Sequence, residues 1–181
     1  FEIPLHFVDR HLQDIAFGRL ENEFKVLAPE ANDRVVCIRA GEILLNPDGS
    51  LPTAGQILAW SGNWQRWDGE NLRYVFRMED ENYFIFMGLP GDAPEGRWEN
   101  VRNLRQSMEK DGYYACMTAW HLYNWYASSR FCGRCGSKTK HDEKERMMRC
   151  PACGNQIFPK ISPAVIVGVT DGDRILLTKY A

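Results

Sequence analysis

The sequence has no run approaching the roughly eighteen apolar residues that a membrane-spanning helix needs, so none is expected. It has no basic-then-apolar opening of the kind that marks a secretory signal. It has no internal repeat and no low-complexity tract, which sets aside collagen-like and mostly disordered chains. It has little net charge: 22 basic against 24 acidic residues leave −2. What remains is an ordinary soluble globular composition, 44% hydrophobic and 25% charged over 181 residues, enough for one large domain or a medium domain with small attachments, and a cytoplasmic location is expected. The chain opens on Phe1 rather than Met and reaches Ala181 after an apolar run with no closing turn, so it reads as a piece of a longer protein.

Six cysteines are present, and four of them, Cys132, Cys135, Cys150 and Cys153, form C-x2-C-x14-C-x2-C. Two such pairs at this separation suit a four-thiolate Zn2+ site. Two sulfurs three residues apart reach one ion only through a tight turn, which glycine permits; glycine stands in both Cys132-Gly-Arg-Cys-Gly136 and Cys150-Pro-Ala-Cys-Gly154. Four thiolates close the tetrahedron and leave no position for water, so the expected role is structural. Two disulfides are the alternative and lack the secretory context; a redox C-x-x-C is a lesser one. Cys37, inside Val35-Val-Cys-Ile38, and Cys116, inside a helical pattern, are expected to be buried free thiols.

The charge is uneven. Residues 130–160 hold eight basic residues against Asp142, Glu143 and Glu145, a net +5 that leaves −7 on the rest. A basic metal ribbon favours a phosphate-bearing ligand; solubility of a small module explains it equally well.

Residues 1–96 read as a β-rich domain. Arg34–Arg39 and Glu42–Leu45 are short apolar runs parted by Gly41, and Asn46-Pro-Asp-Gly49 is a turn signal. Leu72–Arg77 and Tyr83–Met87, joined across Glu79–Asn82, predict a hairpin. Trp60, Trp64 and Trp67 cluster nearby, a small core or a base-stacking surface. The Gly- and Pro-rich stretch 88–96 is a candidate boundary. Residues 97–129 are expected to be helical, with a break at Gly112; Ala115, Ala119, Leu122 and Tyr126 share a face after it. Ser137 to Arg149 is long enough for a hairpin between the cysteine pairs. Ala164–Thr170 is a β-branched run expected as a buried strand, turning through Asp171-Gly-Asp173 into Arg174–Thr178. The class is α+β.

From Arg130 onward these residues resemble a known family. Phe131-Cys-Gly-x-Cys-Gly136, Cys150-Pro-x-Cys-Gly154, Phe158-Pro159, Ile161-x-Pro163, Val165-Ile-Val167 and Arg174-Ile-Leu-Leu177 are similar to the zinc-ribbon NADH pyrophosphatases of the Nudix hydrolase superfamily. Ala119-Trp-x-Leu-x-x-Trp125 resembles the helix that precedes the ribbon there. The likeness is specific over about residues 113–181 and weak over 1–96. It implies a β-rich domain at 1–96, a helical segment at 97–129, a zinc ribbon at 130–160 and the first strands of a Nudix α/β/α sandwich at 161–181. It also implies a homodimeric hydrolase of NADH or NAD+ that yields AMP and nicotinamide mononucleotide, with the NAD cap of RNA as a further substrate.

The Nudix box, G-x5-E-x7-R-E-U-x-E-E-x-G-U with U aliphatic, has no counterpart: no Arg-Glu dipeptide occurs anywhere in the chain. The box is therefore expected beyond Ala181, and with it the glutamates that hold Mg2+ or Mn2+, so the chain alone is expected to hold zinc without hydrolysing anything. By the same resemblance Glu145, five residues before Cys150, contacts substrate; Phe158 stacks on a ring of the dinucleotide across the dimer interface; and Arg102, or Arg105 beside it, is the arginine upstream of the helix that contacts substrate. Ordinary surface or core roles remain the alternatives for all three. The rival function is a non-enzymatic zinc-ribbon module that binds nucleic acid.

Overall fold

Residues 20–61, 71–88, 96–165 and 167–177 are described by a computed structural model; Trp64, Trp67 and most of the Gly- and Pro-rich stretch lie outside them. The first apolar runs become the centre of a mixed sheet. Strands β1 (Leu20–Glu21), β2 (Arg34–Arg39), β3 (Glu42–Leu45), β4 (Leu72–Met78), β5 (Glu81–Phe86) and β6 (Arg97–Asn100) lie in the order β1-β4-β5-β2-β3-β6. Every neighbouring pair is antiparallel except β2 and β5, which run parallel with Val35 opposite Phe84.

Because side chains alternate across a strand, the unbroken run Val35-Val36-Cys37-Ile38 feeds both faces. Val35 and Cys37 point to one side, with Leu44, Phe84 and Ile57 of helix α1 (Ala54–Ser61). Val36 and Ile38 point to the other, where the long helix α3 (Lys110–Ser128) lies. The expected hairpin of β4 and β5 is present and tight, Met78 facing Glu81. One irregularity matters below: the register shifts between Tyr74 and Phe76, so Val75 stands at a bulge in β4.

The structure corrects the reading of residues 97–110 as helix. Arg97–Asn100 is an edge strand on β3, with Leu44 opposite Trp98 and the Arg39 guanidinium 4.1 Å above the Trp98 ring. Four residues with one aromatic carry no period of their own; a distant strand decides their state. Within residues 97–109 only Leu104–Ser107 (α2) is helical, and α3 runs Lys110–Ser128. Nor does α3 break at Gly112. A Cβ there would come within 3.0 Å of the Met108 side chain, so this glycine serves a close approach. The expected face of α3 holds: Ala115, Ala119, Leu122 and Tyr126 are all buried, with Trp125 beside them.

The ribbon follows as three short antiparallel strands, β7 (Lys140–His141), β8 (Met148–Arg149) and β9 (Gln156–Ile157). Met148 and Ile157 pack onto the core shared by α3 and the sheet. After them the expectation of a buried strand at Ala164–Thr170 is not met. Only Thr170–Asp171 (β10) pairs with Arg174–Ile175 (β11), through the expected turn, and Val165 and Val167 are 84% and 75% exposed. A β-branched run becomes a buried strand only where a sheet receives it, and the described residues place none beside it.

Candidate metal centre and its seam with the sheet

The two C-x2-C segments fold into matching knuckles. In the first, the Cys132 amide donates to Ser137 O at 2.8 Å and the Gly136 amide to Cys132 O at 2.8 Å. In the second, Cys150 donates to Asn155 O at 2.9 Å and Gly154 to Cys150 O at 3.0 Å. Each turn closes on a glycine in the left-handed region, Gly136 at φ 74° and Gly154 at φ 71°. The glycine that the motif requires is thus the one after each second cysteine, where a Cβ would be strained.

The four sulfurs converge within 4.8 Å of one another. Cys132 and Cys153 Sγ are 3.6 Å apart and Cys135 and Cys150 Sγ 3.5 Å, far from disulfide length; all are free thiols. A tetrahedral ion at about 2.3 Å from each sulfur sets its ligands about 3.8 Å apart, so the tetrad fits Zn2+. The electrostatics agree. Ser137, through hydroxyl and amide, pulls Cys135 down to about 6, and the Arg134 amide lowers Cys132. At Cys153 the Asn155 amide favours the thiolate, but burial and the three neighbouring sulfurs outweigh it and push the thiol up to about 12. Four like charges cannot gather without a counter-charge, and a divalent cation supplies it.

The first knuckle hangs on the end of α3. The Ser129 amide caps Trp125 and Tyr126, and the buried Thr139 hydroxyl donates to Ser129 O at 2.6 Å. The hairpin of β7 and β8 then lies against β4 along a seam that sequence inspection did not single out. The Arg146 guanidinium reaches across it to the carbonyl of Val75. Arg73 of β4 stands 4.3 Å over the Tyr126 ring. The Tyr126 hydroxyl lies 3.0 Å from His141 Nε2; His141 Nδ1, 2.5 Å from Asp142 O, is the donor there, which leaves Nε2 to accept from Tyr126. Phe24 stacks on His141, centroids 5.0 Å apart. The available signal was an arginine inside an apolar strand, Leu72-Arg73-Tyr74.

The three residues expected at the substrate stand as follows. Glu145 is exposed in the turn between β7 and β8, its amide donating to Asp142 Oδ1 at 3.2 Å. It lines a shallow cleft of about 460 Å3 with Lys140, His141, Asp142, Lys144 and Arg149. Phe158 follows β9 and is 49% exposed, so its ring is not spent on ribbon core. Arg102 is exposed in the turn after β6, its amide on Asn100 Oδ1 at 3.0 Å, with Arg105 exposed in α2. Neither Phe158 nor Arg102 lines the cleft of Glu145. Among the described residues no helix is long and apolar enough to cross a membrane.

The model of the NADH pyrophosphatase zinc ribbon domain matches residues 127–158. The chain is also similar to proteins named NAD-capped RNA hydrolase NudC. With that of Stutzerimonas stutzeri it shares 39% identity over 102 residues, 56% of this chain and 37% of the relative. With that of Deinococcus radiodurans it shares 32% over 148 residues, 80% of this chain and 48% of the relative. With that of Chromobacterium violaceum the figures are 31% over 157 residues, 84% and 54%. The chain thus spans about half or less of the length of these curated relatives.

Proposed function

The chain belongs to the NADH pyrophosphatase family of the Nudix hydrolase superfamily, and from that premise we propose that its protein hydrolyses the pyrophosphate of NADH or NAD+. Water adds to one phosphorus, the bridging P–O bond breaks, and AMP and nicotinamide mononucleotide leave as phosphate monoesters. The same linkage at the 5′ end of NAD-capped RNA is the second substrate, in keeping with the names of the relatives and with the net +5 of residues 130–160. With no Arg-Glu pair in residues 1–181, water activation by Mg2+ or Mn2+ is assigned to a Nudix box outside them, in a sandwich to which residues 161–177 contribute strands.

The part described here positions. Zn2+ held by Cys132, Cys135, Cys150 and Cys153 makes rigid a segment with little core of its own. On that frame Glu145 and Phe158 meet the dinucleotide, with Arg102 as a third contact and a homodimer completing the stack on Phe158. One observation carries the reading: the sulfur tetrad closes at metal distance inside the segment that the family's ribbon matches.

The test is AMP release from NADH by protein that carries the box, in Mn2+, followed by chromatography. Release that ceases on chelation supports the proposal. No AMP above background, together with salt-sensitive RNA binding, would instead make the ribbon a nucleic-acid-binding module and sink the enzymatic reading.

A further inference from the structure

The seam holds two guanidiniums, while the carboxylates whose charge reaches it, Asp142 at His141 and Glu21 at Tyr74, pair with Arg149 and Lys25 instead. Arg73 stands over the Tyr126 ring, whose hydroxyl meets His141, and Arg146 reaches the carbonyl of Val75, two residues along β4 from Arg73, so the two guanidiniums flank one phenol. Among the described residues neither arginine is paired with a carboxylate; the ion pairs found elsewhere use Arg34, Arg39, Arg77, Arg97, Arg149 and Arg174. The Nε–H of Arg73 and that of Arg146 are shut off from solvent with no acceptor, and so is the Tyr74 hydroxyl. A partly buried guanidinium without a carboxylate partner is costly, and two sharing one seam repel as well. Yet Arg73, Arg146 and His141 are each only half-buried, so the seam keeps a side open to solvent.

We propose that this seam is a binding site for a phosphate-type dianion, free inorganic phosphate or the phosphoryl group of a mononucleotide. The planar forks of Arg73 and Arg146 suit a tetrahedral oxyanion, which accepts from several N–H groups at once. The Tyr126 hydroxyl, already committed to His141 Nε2, holds the imidazole in place beside it. The site is separate from the tetrad and shares only His141 with the cleft of the exposed Glu145, whose neighbour Arg146 turns inward to Val75. It does not depend on the proposed hydrolysis.

The zinc-loaded chain is titrated with inorganic phosphate, and separately with AMP, at ionic strength held constant with chloride, while the arginine Nε–Hε resonances are followed by NMR. Saturable shifts at Arg73 and Arg146, complete before the exposed Arg102, Arg105 and Arg134 respond, are expected. Saturation by phosphate alone assigns the site to the free ion; saturation by AMP as well assigns it to a phosphoryl group on a larger body. Arg73→Gln is expected to weaken binding at least tenfold and Arg73→Lys, which keeps the charge but loses the fork, a few-fold. Shifts that grow linearly, or equally at all the arginines, overturn the site. So does Arg73→Gln binding as the unsubstituted chain does. The resonances of the unsubstituted protein decide the question even where a variant fails to fold.

Discussion

Arg146 donates across the seam to the carbonyl of Val75, the bulge residue of β4, 71 positions earlier in the chain. A bulge frees a carbonyl from the ladder, and the ribbon supplies the donor it lacks. Replacing Arg146 with Ala leaves that carbonyl short of its partner and is expected to lower stability by roughly 1–3 kcal/mol in urea unfolding of the zinc-loaded protein. Hydrogen exchange should locate the loss at β4 and the ribbon hairpin rather than at α1, which packs on the other face of the sheet. A variant as stable as the parent, with unchanged exchange at Phe76, would show that the contact contributes nothing.

Metal removal is expected to release the ribbon before the sheet. The tetrad organises residues 131–157, whereas the sheet core is aliphatic and aromatic and owes nothing to the ion. Elemental analysis should find one zinc per chain, and Cys153→Ser should reduce it severalfold. Chelation should raise amide exchange in both knuckles while Val35 to Ile38 stay protected. A native chain free of metal, with the sulfurs oxidised in pairs, would contradict the centre.

The knuckle glycines differ in what they tolerate. An added Cβ meets nothing within 4 Å at Gly133, Gly136 or Gly154, so space does not separate them. Backbone does: only Gly136 and Gly154 have positive φ. Alanine at either is expected to cost about 1–2 kcal/mol, read as roughly tenfold weaker zinc binding, while Gly133→Ala stays near the parent. Equal effects at all three positions would mean the left-handed turn is not what holds the sulfurs.

Cys37 and Cys116 are buried, and burial pushes both thiols up, Cys116 to about 12. The folded state keeps its proton where the unfolded thiol, ordinarily near 9.0, gives it up. Their contribution to stability is therefore whole below pH 9 and is lost as pH rises from there toward 12. At neutral pH neither should be alkylated by iodoacetamide until the chain unfolds, as mass mapping of the zinc-loaded protein would reveal. Rapid labelling of Cys116 in the native state would contradict the packing of α3 on the sheet.

Local signals made part of this molecule readable. The paired apolar runs of β4 and β5 with a polar turn, the buried face of α3 and the doubled C-x2-C each carry their pattern within a few residues. Where the deciding partner is distant, the pattern fails. Arg97–Asn100 becomes a strand because β3 is beside it, and β2 runs parallel to β5, Val35 opposite Phe84, with β3 and β4 between them in the chain. The seam is the extreme case: nothing near Arg73 in sequence points to Tyr126 or Arg146. Conversely, Val165 and Val167 have the composition of a buried strand without a described sheet to receive them.

Phe158 offers the sharpest check on the proposed function. Its ring is 49% exposed after β9, so truncation should leave the ribbon intact, unlike a cut at Met148, which packs in the core. In protein that carries the Nudix box, Phe158→Ala is expected to lower kcat/KM for NADH several-fold, because stacking on a flat ring contributes about 1 kcal/mol, a factor of roughly five. Zinc content and unfolding midpoint should match the parent, and Phe158→Tyr should restore the rate, since the stacking face is kept. Unchanged kinetics would remove Phe158 from the dinucleotide site. A lost zinc ion would mean instead that the ring supports the ribbon.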